Sequence, residues 1–95
     1  MSAKYTPHPT DVSKVVLSSE TEELIRTIAF EMHENEAREL FGMGWRFGDV
    51  MSIVNHTHPN LIPYDDLTEI QKERYLDTAS YVVKVLIALG YEITG

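Results

Sequence analysis

The sequence predicts a mainly α domain of two long antiparallel helices, joined by an irregular crossover with short β segments. Three observations carry this expectation. Apolar residues recur at helical spacing through Leu24, Ile25, Ile28, Ala29, Met32, Leu40 and Phe41. A second apolar run, "YVVKVLIALGY", leads into Gly90. Between the two, residues 43–66 are crowded with glycine, proline and turn-forming side chains. Ninety-five residues are read as a single domain over 1–95. A chain of that length buries roughly two-thirds of its unfolded surface, enough for one modest core.

Each element has its own local reason. Residues 1–18 are expected to form an extended arm. Pro7 and Pro9 remove amide donors and push Thr6 and His8 toward extended geometry. Val15, Val16 and Leu17 should then pin the arm to the core. Helix 1 is expected over 19–42, because Ser19 with Glu22 makes a capping-box pattern and Glu20, Glu22 and Glu23 suit the positive end of the helix dipole. "GMGW" ends it, since its glycines permit a left-handed stop. In the loop over 43–66, "WRFGDV" and "MSIV" read as short strands and "NHTHPN" as a turn. Pro59 and Pro63 bracket Leu61 and Ile62, which face inward from an extended strap. Asp65 or Asp66, with Glu69 three residues after the latter, should cap helix 2 over 67–90. Gly90 is its C′ residue. The second half of that helix is apolar nearly all round, so it is expected to be the central buried element.

Composition narrows the function. Fifteen acidic against eight basic residues give a net charge of −7. Nucleic-acid polymers and anionic lipid surfaces reward the opposite sign, so neither is an expected partner; a small anionic ligand needs only a few converging cations. The absence of cysteine removes disulfides and thiolate metal sites and fits a reducing compartment. "MSAKYTPHPT" lacks the apolar run of a signal peptide, and no segment approaches the ~20 apolar residues of a bilayer-spanning helix. A cytoplasmic location is therefore expected.

Few residues carry recognisable chemistry. His56 and His58 form an H-x-H pair, but His8, His33, Asp49, Asp65 and Asp66 fall at no familiar ligand spacing, so the expectation is a turn and no metal. "MHENE" lacks the second histidine of a zincin, and "GMGWRFG" follows a helix where a phosphate-cradling loop would open one. No nucleophile elbow exists, and no catalytic residue or cofactor is assigned. Glu36 breaks the apolar stripe of helix 1, with His33 one turn away and within reach. It is either a rim carboxylate in water or half of a polar pair facing a ligand or a subunit. Trp45 beside Arg46 either stacks a ring next to an anionic group or plugs the gap between the helices.

Taken in order, these segments resemble the RyR domain, the repeat named after the ryanodine receptor channels. The arm "YTPHPTDVSKVVLS" matches a tyrosine-proline start. "HENEA" leading into "GWRFG" is similar to H-E-x-W-A followed by G-W-x-Y-G. "HPNLIPYDDL" resembles H-P-x-L-x-P-Y-x-x-L, and "DTASYVVKVLIALGYEI" resembles the A-L-G-Y ending. The likeness spans about residues 5 to 93. It makes "HTHPNLIPYDDL" an architectural strap in which only His58 matches.

The resemblance implies a mostly α fold around a two-helix unit and a non-enzymatic module recognising a small, nucleotide-like ligand or a partner protein. In the channels, units are paired and resemble a docking place for adenine nucleotides, with aromatic and basic contacts from the first helix. Here the family's tryptophan is Glu36, the basic residue a turn later is Leu40, and an acidic-basic pair early in helix 2 is Tyr75 and Leu76. Ligand contacts are therefore expected from His33, Glu36, Trp45, Arg46 and Tyr64. A lone copy would recreate the pair as a homodimer. Two rival readings stand beside this one: a purely structural interaction domain, and an enzyme on nucleotide derivatives with His33 and Glu36 as acid and base.

Overall fold

The computed structural model describes residues 4–94, in the order α1 (Ser19–Gly42), β1 (Arg46–Phe47), β2 (Thr57–His58), a 3₁₀ turn (Tyr64–Asp66) and α2 (Glu69–Ala88). The mainly α expectation holds. No described helix is long and apolar enough to cross a membrane.

Both helices stop as the glycines require. Gly44 and Gly90 take φ of +86° and +96°, the left-handed geometry that costs glycine least. The N–H of Trp45 donates to Leu40 O and that of Tyr91 to Leu86 O, each at 3.0 Å. Gly44 and Gly90 donate to Phe41 O and Ile87 O. These are paired Schellman closures, which satisfy the last carbonyls of each helix.

Both helix starts differ from expectation. Ser18, not Ser19, caps α1, its Oγ accepting from the Thr21 N–H at 3.2 Å. Capping one residue earlier leaves Leu17 just outside the helix, where it packs on the core. Helix α2 is capped by Thr68, whose hydroxyl accepts from the Gln71 N–H at 3.2 Å, not by Asp65 or Asp66. Those aspartates sit in the 3₁₀ turn because Leu67 must extend inward, where it is buried, before a helix can begin.

The core lies where the two helices meet. Ile25 and Ala29 of α1 pack with Ala79 and Val83 of α2, flanked by Leu17, Ile28, Met32, Tyr75, Leu76, Ile87 and Ile93. Ala29 and Ala79 have no exposed surface, so small side chains bring the helices close. The apolar half of α2 is not buried all round. Val82, Leu86 and Leu89 remain 51%, 41% and 63% exposed, since one partner helix covers only one face. In the arm, Leu17 reaches the core while Val16 points outward, and the Thr10 N–H donates to the Tyr81 hydroxyl at 3.2 Å.

The crossover is held by few bonds. β1 and β2 pair in parallel, Arg46 opposite Thr57 and Phe47 opposite His58. "WRFGDV" thus supplies a two-residue strand, whereas "MSIV" supplies one bridge, Ser52 to Thr57. Ile53 and Val54 are exposed. Gly48 passes so close to Thr57 that a β-carbon there would lie 2.6 Å from the threonine's own.

Candidate functional site

The strap after β2 ties the loop to both helices. His58 accepts from the Asn60 N–H on its Nδ1 at 3.0 Å, the backbone bonding expected of a turn histidine. Asn60 then works in two directions. Its carbonyl accepts from His33 Nε2 on α1 at 2.8 Å, and its side-chain amide donates to Gln71 Oε1 on α2 at 3.4 Å. Leu61 is buried beside it, and Ile62 half-buried, as the extended strap requires.

His33 and Glu36 do not form the expected pair. His33 is 2% exposed and bonds the strap, with Nδ1 3.6 Å from a Glu34 carboxylate oxygen. Glu36 is half-buried and accepts from the Tyr75 hydroxyl at 3.2 Å. Burial first, then the charge and hydrogen bond of Glu36, push that hydroxyl up to about 12. Tyr75 therefore stays protonated and donating throughout the neutral range. Glu36 is thus paired with Tyr75 and not with His33.

The remaining nominated residues divide. Tyr64 is half-buried and sits edge-on to Phe30, His33 and Tyr75, with ring centroids 5.8, 5.8 and 6.2 Å away. His33 and Tyr75 also meet edge-on at 5.6 Å, so the three rings close on one another. Trp45 lies outside the core cluster, stacked on His56 at 5.4 Å and 19°, and tilted against His58 at 6.4 Å. His56 holds a φ of +52°. Arg46 is exposed on β1, its N–H bonded to His56 O. Among the described residues no cluster of three or more His, Asp or Glu side chains is arranged to hold a metal ion.

The convergence of polar groups lies beside this aromatic ring. Met32 and Glu36 of α1, His58 and Asn60 of the strap, and Gln71, Arg74, Tyr75 and Thr78 of α2 line an open groove of about 460 Å³. Of the nominated residues only Glu36 lines it; Trp45 borders it through His58. Gln71, Arg74, Tyr75 and Thr78 were missed as site residues. Their signal was the spacing of Gln71, Tyr75 and Thr78 by four and three, a polar start to a helix face that turns apolar at Val82.

The RyR domain family model matches residues 5–95, nearly the whole chain. The chain belongs to the RyR domain family. This RyR domain holds the family's motifs in distinct structural jobs. The histidine and glutamate of "HENEA" tie α1 to the strap and stand beside it, "GWRFG" makes the helix stop and β1, and "HPNLIPY" is the strap itself.

Proposed function

We propose that this RyR domain is a non-enzymatic binding module whose site is the groove between α1 and α2, and that its ligand is small, polar and nucleotide-like. One observation carries the reading: Glu36, His58, Asn60, Gln71, Arg74 and Tyr75 converge on a single cavity of about 460 Å³. That volume suits a small molecule. Exposed Arg74 can take an anionic group, the carboxylate and amides can take hydroxyls or ring N–H groups, and Met32 and the Tyr75 ring offer apolar contact. The net charge of −7 favours a mononucleotide-sized anion over a polymer. Binding is favoured over catalysis because Tyr75, held near 12 and bonded to Glu36, is a poor proton shuttle, and His33 Nε2 is committed to Asn60 O and not to Glu36.

The test is a thermal-shift screen with nucleoside mono-, di- and cyclic phosphates. A ligand at about 100 times its Kd adds ~2.7 kcal/mol, on the order of ten degrees in Tm for a domain this small. The expected result is a shift for one nucleotide class that Arg74→Ala abolishes. Silence across the panel, or an equal shift in the variant, would refute the reading.

Exposed apolar surface supports self-association as part of the same function. The chain exposes 7521 Å², against about 5,600 Å² for a compact monomer of its mass. Its radius of gyration is 16.4 Å, against roughly 12 Å. Part of the excess lies in the arm, and part on the Val82, Leu86 and Leu89 face that continues the line of Gln71, Tyr75 and Thr78. A second copy docked there would bury the standard ~800 Å² per partner and roof the groove. Sedimentation equilibrium should give a dimer that Leu86→Glu dissociates and Ile53→Glu leaves intact. A monomeric wild type would overturn this part alone.

A further inference from the structure

A second cleft lies off the groove, bounded by His33, Glu34, Ala37, Phe41, Leu61, Ile62 and Pro63, with a volume of about 370 Å³. Five of its lining residues, Ala37, Phe41, Leu61, Ile62 and Pro63, are apolar. Its polar groups are two acceptors facing each other. His33 Nε2 is committed to Asn60 O, and a carbonyl can only accept, so that nitrogen carries the proton. In the neutral ring this leaves Nδ1 as a lone pair. Nδ1 is buried and has no hydrogen-bond partner among the described residues. The nearest carboxylate oxygen, on Glu34, stands 3.6 Å away, too far for a hydrogen bond and itself an acceptor. Arg38, one turn along, donates to Asn35 instead.

A buried acceptor without a donor is costly, and native proteins seldom leave one so. We infer that this cleft is a binding site for a primary ammonium on an apolar stem, whether a lysine side chain of another protein or an alkylamine in solution. An ammonium carries three N–H donors, which answers both acceptors at once, and its positive charge answers Glu34. The stem lies on Phe41, Leu61, Ile62 and Pro63. Glu34 is half exposed, so its side chain can swing to admit the donor while the core stays packed. The cleft shares no lining side chain with the proposed groove, although the His33–Asn60 hydrogen bond runs between them.

The experiment is a nuclear magnetic resonance titration of the ¹⁵N-labelled chain, reading the histidine ring nitrogens and the backbone amides. The probes are n-pentylammonium, n-pentanol as its uncharged counterpart, and Nα-acetyl-lysine N-methylamide. The expected result is a saturable shift of His33 Nδ1 and of the Phe41, Leu61 and Ile62 amides with pentylammonium. Pentanol, with one donor and no charge, should bind at least about tenfold more weakly, and Glu34→Gln should weaken pentylammonium binding by about tenfold, as loss of a charge-assisted bond does. Tighter binding of the lysine amide would point to a protein side chain, and tighter binding of pentylammonium to a free amine. A His33 ring protonated on both nitrogens before any probe is added would overturn the inference, because the pair with Glu34 would then be internally satisfied. So would the absence of a saturable shift, an equal response to pentanol, or a Glu34→Gln variant that binds as well as wild type.

Discussion

Tyr75→Phe removes one oxygen from the floor of the groove and leaves the ring packed. The lost group donates to Glu36 at 3.2 Å and sits above its ordinary range, at about 12, mainly through burial and then through Glu36. The rise from an ordinary value near 10 to about 12 corresponds to at most ~2.7 kcal/mol. The pair is half-buried, so solvent screening reduces this to about 1 kcal/mol. The sign follows from the direction of the shift. Below about pH 10 the tyrosine is protonated in both folded and unfolded chains, and the bond contributes fully. Between about 10 and 12 the unfolded chain loses its proton first, so stability falls as pH rises, and above about 12 the contribution is gone. Urea unfolding of wild type and variant should therefore differ by about 1 kcal/mol near pH 8 and converge by about pH 12. A variant as stable as wild type at about pH 8, or a difference constant across that window, would refute the reasoning.

Two further predictions concern the frame that positions the groove. Gly48→Ala forces a β-carbon to 2.6 Å from that of Thr57, so it should cost about 1–3 kcal/mol in urea unfolding. Gly42→Ala, with nothing within 4 Å, should be neutral or stabilising by up to about 1 kcal/mol. Thr68→Ala removes the cap of α2 and should lower stability by about 1 kcal/mol, while Asp66→Ala, outside the helix, should change Tm little.

Much of this fold was legible because its signals are local. The helical spacing of α1, the stop glycines and the bracketing prolines act over a few residues, and the helix and its stop lie where they place them. Leu24 and Phe41, at the ends of the stripe, nevertheless remain exposed. The errors came where distant packing chose between equal local options. Ser18 and Ser19 cap equally well, and the place of Leu17 in the core decided between them. Thr68 with Gln71 is a capping pattern just as Asp66 with Glu69 is, and the burial of Leu67 between them decides for Thr68. The second half of α2 is apolar nearly all round yet only partly buried, because periodicity says what is apolar, not what covers it. The site was half legible. Glu36 stood out by breaking a stripe, whereas Arg74 and Gln71 look like ordinary solvated residues until the strap brings Asn60 to them.

The most direct test of the central claim is an amide chemical-shift map during titration with nucleoside monophosphates. The expected outcome is saturable shifts concentrated at Asn60, Gln71, Arg74, Tyr75 and Thr78, the residues that line the groove. No saturable shift at millimolar ligand, or shifts confined to residues outside the groove, would contradict the account.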